Sequence, residues 1–436
     1  MKITTIKILL LAVVTTSVIS CKDDVKEVKK EWKLPEVSIT GVRLPHTVLK
    51  ITEDNVEVRN GGFGSAATAH PINEGEFYAL TDRGANIKFG SNKIFPTPDY
   101  TPRIGHFKLL ENGTVEMINE ILFKNPAGAN ISGRPNPEGY GATGEVPYNE
   151  DQTTVLDFDK YGLDSEGLVA LKDETFWVSD EYGPHIAHFD TTGKQLERLS
   201  PKGITGESGD RKLPAVFATR WANRGMEGLA VTPDETTLVG IMQSTLYNPS
   251  KADVADFTIT RIVTFNIATG ATKQYLYKQE KAKNSNSEIV ALSNTEFLLV
   301  ERDGAFTKDT DKSEVQKHIY KIDISNATDV SDVADTTNGK LINGKTIEQC
   351  TWDELTTAGI VPVTKMLAVD LIAELGDYPH DKLEGIWLIN SNTIGVINDD
   401  DFAVWTGDNS ATIQKYISKT ETAENIDGNT LYIVNF

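Results

Sequence analysis

Cysteine, histidine clusters and recognisable catalytic motifs are nearly absent from this sequence. Its 436 residues include two cysteines and seven histidines. Two cysteines cannot supply a paired-cysteine zinc site, and the histidines form no H-E-x-x-H motif. A G-x-S-x-G nucleophile elbow is also missing, which leaves a serine hydrolase of the α/β kind unsupported. Any catalytic or metal chemistry must therefore come from other side chains.

Basic residues are also fewer than acidic residues. Lysine and arginine number 43 against 63 aspartates and glutamates, and the formal net charge is −20 at pH 7. A field of this sign repels polyanions and anionic lipid surfaces. We therefore expect no nucleic-acid partner, whereas the binding of a divalent cation is favoured.

Long hydrophobic runs are missing after the N-terminus. No later stretch reaches the ~18 apolar residues that a membrane helix needs. The N-terminal segment has a charged start, an apolar run over residues 8–14, and the ending Val18-Ile19-Ser20-Cys21. This pattern is typical of a signal peptide over residues 1–20, and its ending resembles the lipobox of bacterial lipoproteins. The alternative is an ordinary secretory signal in which Cys21 is incidental.

The lipobox interpretation sets the predicted organisation of the chain. Cys21 becomes the acylated first residue, residues 21–35 form a charged tether, and residues 36–436 form the folded domain. We expect an outer-membrane lipoprotein that faces the periplasm or the cell surface and touches the membrane only through its lipid. Cys350 is then the one thiol left, so no intramolecular disulfide can form.

A short sequence element recurs five times. Four of its copies open with a glutamate ahead of an apolar strand, and these are Glu166, Glu227, Glu288 and Glu384. The first two steps between these glutamates are both 61 residues long. A weaker copy begins at Ser65, which replaces the acid. In each copy a second strand ends in polar residues about 13 to 17 positions later, which is the spacing of a hairpin.

The repeated element predicts an all-β fold, and specifically a β-propeller. Further strands with alternating apolar residues follow the hairpins, which gives four strands per unit. Five four-stranded blades are recognisable, and a sixth is possible within the insertions near residues 125–160 and 328–360. Strands at residues 37–42 and 430–434 are expected to share one blade and close the ring.

The propeller fold predicts where the repeated acids lie. The first strand of each blade lines the central channel, so equivalent residues converge on one axis. Repulsion among the glutamates must then be relieved by raised pKa values, by paired Arg or Lys, or by a hard cation, and Ca²⁺ is the cofactor we expect. The alternative is structural: each glutamate accepts backbone hydrogen bonds in the neighbouring blade.

These considerations define the candidate site residues. The expected metal ligands are Asp82, Glu166, Glu288, Glu301, Glu384, Asp399 and Asp400. The expected catalytic carboxylates are Glu166, Glu227, Glu384, Asp180 and Glu181. The expected substrate-binding cations are Arg83, Arg224, Arg302 and Lys365. The acids that end the second strands are expected at the mouth of the channel, beside these arginines.

At these residues the chain resembles the phytase-like family, described as having esterase-like activity of phytase. The resemblance covers about residues 60–405, and its motifs lie at residues 78–84, 166–168, 177–184, 223–229, 299–303, 384–386 and 398–402, with Lys365. Membership implies a β-propeller and a phosphoester or ester hydrolase activity. The copy at Ser65-Ala66 departs from the family's pattern because it lacks both the acid and the glycine.

The sequence therefore supports two possible functions. The first is an extracytoplasmic hydrolase of phosphoric esters that uses Ca²⁺ held by the converging carboxylates and acts on a small anionic phosphoester. The second is a non-catalytic propeller that binds a surface ligand or partner and whose cations are structural. The first requires carboxylates around an open pocket with arginines nearby, and the second requires glutamates satisfied by backbone amides.

One further motif is rejected. Residues 339–346 match the phosphate-loop pattern G-x-x-x-x-G-K-T, yet polar sequence precedes them where a buried strand is required. A loop or short hairpin built on Asn-Gly turns is expected there instead.

Overall fold

A computed structural model describes residues 32–37, 39–205, 211–417 and 425–436 of the chain. The predicted signal peptide, Cys21 with its predicted lipidation, and the predicted tether up to residue 31 lie outside the described residues. The last part of the predicted tether is attached to the domain, because Trp32 Nε1 donates to the carbonyl of Leu109 at 3.0 Å. Its ring also lies 6.4 Å from that of Trp387. Among the described helices, none has the length and apolar composition needed to cross a membrane.

Five four-stranded antiparallel sheets form the body of the domain. Blade one consists of strands Ala66–Ala69, Glu76–Leu80, Arg103–Leu109 and Val115–Leu122. Blade two consists of Ser165–Ala170, Phe176–Asp180, Ile186–Phe189 and Gln195–Leu199. Blade three consists of Met226–Val231, Thr237–Met242, Ile259–Asn266 and Thr272–Lys278. Blade four consists of Ser285–Ala291, Glu296–Arg302, Lys317–Asp323 and Thr364–Asp370.

Blade five joins the two ends of the domain. It consists of Gly385–Asn390, Thr393–Ile397, the C-terminal strand Thr430–Asn435 and the N-terminal strand Val42–Arg43. Val42 pairs with Leu431. The prediction that the two chain ends share a blade is confirmed, although the N-terminal strand begins at Val42.

The innermost strands close into a ring. Each first strand contacts the first strand of the next blade, from blade one through blade five and back to blade one. The described residues therefore form a five-bladed propeller, as the repeat predicted, and the possible sixth blade is not found in this part of the chain. The ring leaves no inner sheet edge unprotected.

Small elements fill the insertions. Paired strands outside the blades are Val48–Ile51 with Glu57–Arg59, Ile87–Phe89 with Asn92–Ile94 and Pro147–Tyr148, Leu341–Ile342 with Lys345–Thr346, and Val404–Thr406 with Thr412–Gln414. The α-helices are Trp352–Thr357 and Leu371–Leu375. The 3₁₀ helices are Ala215–Thr219, Lys251–Asp253, Ile347–Gln349, Asp401–Ala403 and Asp408–Ser410.

The phosphate-loop match forms one of these hairpins. Leu341–Ile342 pairs with Lys345–Thr346, and the turn between them places Asn343 and Gly344 at positive φ values of 51° and 81°. This geometry is typical of an Asn-Gly hairpin turn. The expectation of a hairpin at these residues is confirmed.

Glycine after the repeated glutamate lets neighbouring blades approach closely. A Cβ atom on Gly167 would lie 2.5 Å from the backbone nitrogen of Leu229 in blade three. A Cβ on Gly228 would lie 2.7 Å from the backbone nitrogen of Ile289 in blade four. Because real Cβ atoms do not approach this closely, glycine is required at these two positions, whereas Ala66 and Ile289 occupy the equivalent positions in blades one and four.

Candidate metal and oxyanion site

A β-bulge sets two of the repeated glutamates apart from their strand ladders. In blade two Ser165 pairs with Asp180 and Gly167 pairs with Ser179, so Glu166 is the extra residue of the bulge. Blade three repeats the pattern around Glu227. A bulge re-aims a side chain next to a functional site. The two glutamates are 8% and 3% exposed.

Three of the predicted glutamates converge. Burial raises the pKa of Glu166 well above its usual range, and the nearby carboxylates of Glu227 and Glu384 raise it further. Burial and then the charge of Glu384 raise the pKa of Glu227 to about 8. These interactions require the acids of blades two, three and five to lie together, as expected for residues that face one axis.

A group of three carboxylates can hold a metal ion. One oxygen each from Asp82, Asp164 and Glu166 lies within 4.8 Å of the other two. Calcium binds oxygen ligands at about 2.3 to 2.6 Å, so a single ion between them can contact all three. The three residues belong to the junction of blades one and two, where Asp82 follows a second strand and Glu166 opens a first strand.

The residues of this group fit a hard cation. Asp164 Oδ2 is buried and accepts no hydrogen bond from the described chain. Its ion-pair partner is Arg83, whose Nη1 lies 3.3 Å away without hydrogen-bond geometry, and a bound hard cation would satisfy the oxygen directly. Burial and the neighbouring charge of Asp164 raise the pKa of Asp82 to about 7. Asp164 was missed by the sequence reasoning, which followed only the repeated glutamate two positions later.

Three cations border the acids. Arg83 Nη1 lies 3.3 Å from Asp164 Oδ2, and Arg302 Nη2 donates to Glu384 Oε1. Lys382 donates to Asp399. The acids around the axis are Asp82, Asp164, Glu166, Glu181, Glu227, Glu384 and Asp399. Seven carboxylates against three cations leave an excess negative charge that only protons or a bound cation can offset.

Gln243 ties two acids of neighbouring blades together. Its Nε2 donates to Glu181 Oε1 at 2.9 Å and to both carboxyl oxygens of Glu227 at 2.8 Å. Burial raises the pKa of Glu181 well above its usual range, and Glu227 and Asp164 raise it further. The protonation of Glu227 therefore affects that of Glu181, and Gln243 holds the two carboxyl groups together.

Asp180, predicted to be catalytic, is a backbone acceptor. Its Oδ1 accepts from the amide of Asp164 at 2.9 Å and its Oδ2 accepts from the amide of Gly183 at 2.8 Å. Oδ1 therefore holds the backbone just before blade two, and Oδ2 holds the turn after the second strand of that blade. Asp180 is fully buried and positions Asp164.

Asp400, predicted to be a metal ligand, has a similar structural role. Its Oδ1 accepts from the amides of Gly62 at 2.6 Å and Phe402 at 3.1 Å. It joins blade five to the segment ahead of blade one. Asp399, one position earlier, does face the central acids, since Glu384 and Asp82 both raise its pKa in addition to burial.

Glu288 follows the structural alternative. Its Oε1 accepts from the amide of Ile289 at 2.9 Å, and the amides of Leu229 in blade three and Ala67 in blade one also act to lower its pKa. Burial outweighs them and raises the pKa overall. The carboxyl of Glu288 is therefore directed at backbone and not at the group of three carboxylates.

Glu301, Lys365 and Arg224 are not brought to the axis. Glu301 accepts from the Tyr277 hydroxyl at 2.6 Å and pairs with Lys365 at 3.2 Å, between blades three and four. Lys365 lies on the outermost strand of blade four. The Arg224 guanidinium stacks over Trp221 at 4.5 Å. Glu301, expected at the channel mouth, and Lys365, expected to bind substrate, are therefore paired with each other between blades three and four.

The centre of the site is buried. Each of the seven axial carboxylates is at most 8% exposed, while the Lys382 side chain is 26% exposed. Because the acids are buried, a bulky substrate would reach them only if the surrounding loops moved. The chemistry at hand is cation binding, proton storage on coupled carboxyls and oxyanion binding by arginine.

Sequence comparison gives the family of the chain. Residues 58–402 match the family described as phytase-like, with esterase-like activity of phytase. The chain belongs to the phytase-like family. This phytase-like chain is also 25% identical over 384 residues to a protein of Arthroderma benhamiae named as an uncharacterized secreted protein, and 73% of each chain is covered.

Solved structures similar to the phytase-like chain are distant. PorZ, a bacterial surface component of the type-IX secretion system of Porphyromonas gingivalis, is 10% identical with a TM-score of 0.34, and the match covers 77% of this chain and 31% of PorZ. A protein from Lactobacillus plantarum is 9% identical with a TM-score of 0.34, covering 87% and 92%. Streptogramin B lyase is 10% identical with a TM-score of 0.30, covering 90% and 97%.

Proposed function

We propose that this phytase-like propeller is an extracytoplasmic, calcium-assisted hydrolase of phosphoric esters that works at the axial site. The observation that carries the proposal is the juxtaposition of the Asp82, Asp164 and Glu166 oxygens, within 4.8 Å of one another, with the guanidinium of Arg83 at 3.3 Å from Asp164. A cation site and an oxyanion-binding arginine therefore share one carboxylate.

Each part of the site has a task in this proposal. Calcium would neutralise charge on the substrate and lower the pKa of a bound water. Arg83 and Arg302 bind phosphate oxygens, for which the guanidinium fork is suited. Glu227, whose pKa is raised to about 8 and which Gln243 holds in place, keeps a proton near neutral pH and can donate it to the leaving oxygen.

The proposal also covers location. The similar protein of Arthroderma benhamiae is named as secreted, and the N-terminal sequence has the pattern of a lipoprotein signal ending at Cys21. Both support an extracytoplasmic protein. We propose that it is an outer-membrane lipoprotein whose propeller faces the periplasm or the cell surface.

Phosphate release tests the activity. The purified protein is assayed on phytate and on simple phosphate monoesters, with Ca²⁺ and with a chelator. We expect Ca²⁺-dependent release that falls at least about a hundredfold in Glu166→Gln, while Asp173→Asn, an exposed acid in the turn of the same blade, retains the wild-type rate. No Ca²⁺-dependent release, or full activity in the double variant Glu166→Gln/Glu384→Gln, would contradict the proposal.

A binding propeller with a structural cation is the second candidate. The observation that favours it is the backbone coordination of Glu288 together with the low exposure of the axial acids. In that case Ca²⁺ raises the thermal stability of the protein, and no phosphoester is hydrolysed. Measuring Ca²⁺ stabilisation beside phosphate release separates the two candidates.

A further inference from the structure

Arg83 makes contacts that the metal group does not account for. Its Nη1 donates to Glu145 Oε2 at 3.2 Å and to Asn223 Oδ1 at 2.9 Å. The residue is 6% exposed, and its Nε is buried without a hydrogen-bond partner in the described chain. A buried guanidinium with an unused donor is suited to a further anionic ligand.

A second cation lies beside Arg83. Lys93 donates to the neutral Asn86 Oδ1 at 2.9 Å, and its ammonium forms no ion pair with a described residue. Burial and then the charge of Arg83 lower the pKa of Lys93 to about 8. Both cations belong to the stretch that follows blade one's second strand, since Lys93 lies on strand Asn92–Ile94. Arg83 already lies 3.3 Å from Asp164 and 3.2 Å from Glu145, so a phosphate would gain the two cations only by displacing one of these carboxylates.

Glu145 is an acid that acts on both cations. Lys93 pairs in register with Pro147, two residues after Glu145, and the charge of Glu145 acts to raise the pKa of Lys93. The Glu145 side chain is 14% exposed and lies 3.2 Å from Arg83 Nη1, the same nitrogen that lies 3.3 Å from Asp164. Its carboxylate therefore presents to Arg83 the oxygens that a phosphate group would present.

We propose that Arg83 and Lys93 form a binding site for one phosphate group beside the candidate metal group, and that the Glu145 carboxylate holds this site until a phosphate displaces it. The proposal rests on the proposed hydrolase function and extends it: the substrate class is a small monoester whose single phosphate enters next to Asp164. Glu145 thereby sets a threshold for ligand affinity, because any anion must compete with it.

The segment that carries Glu145 is held firmly at both ends and loosely between them. The carbonyls of Gly141 and Ala142 accept from Arg220 Nη2 at 2.9 and 3.0 Å. The amide of Val146 donates to Asn92 Oδ1 at 3.1 Å. Between these anchors Gly144 is exposed and has open space around its Cβ position. Within this stretch the Thr143 hydroxyl donates to Glu145 Oε2 at 3.3 Å, so withdrawal of the carboxylate requires its pair with Arg83 to break and residues 143–145 to move together.

Binding of inorganic phosphate tests this site without any need for turnover. Calorimetric titration of the Ca²⁺-loaded protein compares wild type with Glu145→Gln, and Asp151→Asn, an exposed acid of the same insertion, serves as the matched control. We expect Glu145→Gln to bind phosphate at least about tenfold more tightly, because a competing charge is removed, and Asp151→Asn to match wild type. Lys93→Met added to Glu145→Gln should remove the gain.

Several outcomes would overturn the site. These are equal phosphate binding by Glu145→Gln and wild type, a gain that survives Lys93→Met, or no phosphate binding by any variant. Lys93→Met alone replaces one half-buried strand residue and should weaken phosphate binding. This variant tests the site if Glu145→Gln does not fold. Tighter phosphate binding by Glu145→Gln in a protein that hydrolyses no ester would support the site and contradict the hydrolase proposal.

Discussion

Asp164 Oδ2 lies 3.3 Å from Arg83 Nη1, and the same carboxylate belongs to the group that can hold a cation. One side chain therefore links the metal position to the oxyanion position. The backbone amide of Asp164 is in turn held by Asp180 at 2.9 Å. A shift in Asp180 would accordingly displace both positions together. Asp180 is therefore a positioning residue of the proposed site.

Stability without calcium should fall as the pH rises from about 4 to 8. Folding raises the pKa of Asp82 to about 7 and that of Glu227 to about 8, above their ordinary values of 3.8 and 4.5. The folded state then binds more protons than the unfolded state across this window, so stability is highest near its lower end. The loss should be a few kcal/mol, since each tenfold change in proton affinity corresponds to about 1.4 kcal/mol.

Urea denaturation at pH 5 and pH 8, in chelator and in excess Ca²⁺, measures this effect. Calcium should restore most of the stability lost at pH 8, because it replaces the protons on the axial carboxylates. Equal stability at the two pH values in chelator would show that these carboxyls are not destabilised by ionisation.

The close contact at Gly167 predicts a sensitive position. Gly167→Ala places a methyl group 2.5 Å from the Leu229 backbone nitrogen, so the inner strands of blades two and three must separate. We expect a loss of about 1 to 3 kcal/mol in the free energy of unfolding, typical of overpacking. Gly304→Ala, which has open space around its Cβ and no positive φ, is the control and should leave stability nearly unchanged. Equal effects of the two substitutions would contradict the close packing of the ring.

The buried pair of Arg302 and Glu384 predicts a non-additive effect. Arg302→Met leaves the Glu384 carboxylate, 2% exposed, without its cation and should cost about 3 to 5 kcal/mol of stability. The double variant Arg302→Met/Glu384→Leu removes both charges and should recover most of the loss. Lys321→Met, which breaks a half-exposed pair with Glu296, should have a much smaller effect. A double variant less stable than Arg302→Met would refute this account.

The fold and part of the site could be predicted from the sequence because both depend on a repeat. Equal spacing of Glu166, Glu227 and Glu288 reports equal blades, and the first strands of equal blades must share an axis. The spacing does not predict the direction in which each side chain points. The strand Glu296–Arg302 runs through Glu301, so alternation places Glu301 on the same face as Leu299, toward blade three.

The remaining errors have equally local causes. The strand Phe176–Asp180 ends before Glu181, so Glu181 lies beyond the strand, where Gln243 links it to Glu227, and Asp180 faces backbone amides. Asp164 enters the site from the segment that precedes blade two, where the repeat gives no signal. Its position two residues before Glu166, at the entry of a bulged strand, is the only clue that the sequence offered.

Calcium binding to the axial carboxylates is tested most directly by calorimetric titration of wild type, Asp164→Asn and Asp151→Asn in metal-free buffer at pH 7.5. The account predicts that wild type and Asp151→Asn bind one Ca²⁺ per chain at the group of Asp82, Asp164 and Glu166. Asp164→Asn should bind at least about tenfold more weakly, because it loses a charged ligand. Binding of equal strength in Asp164→Asn, or no binding by wild type, would contradict the central claim.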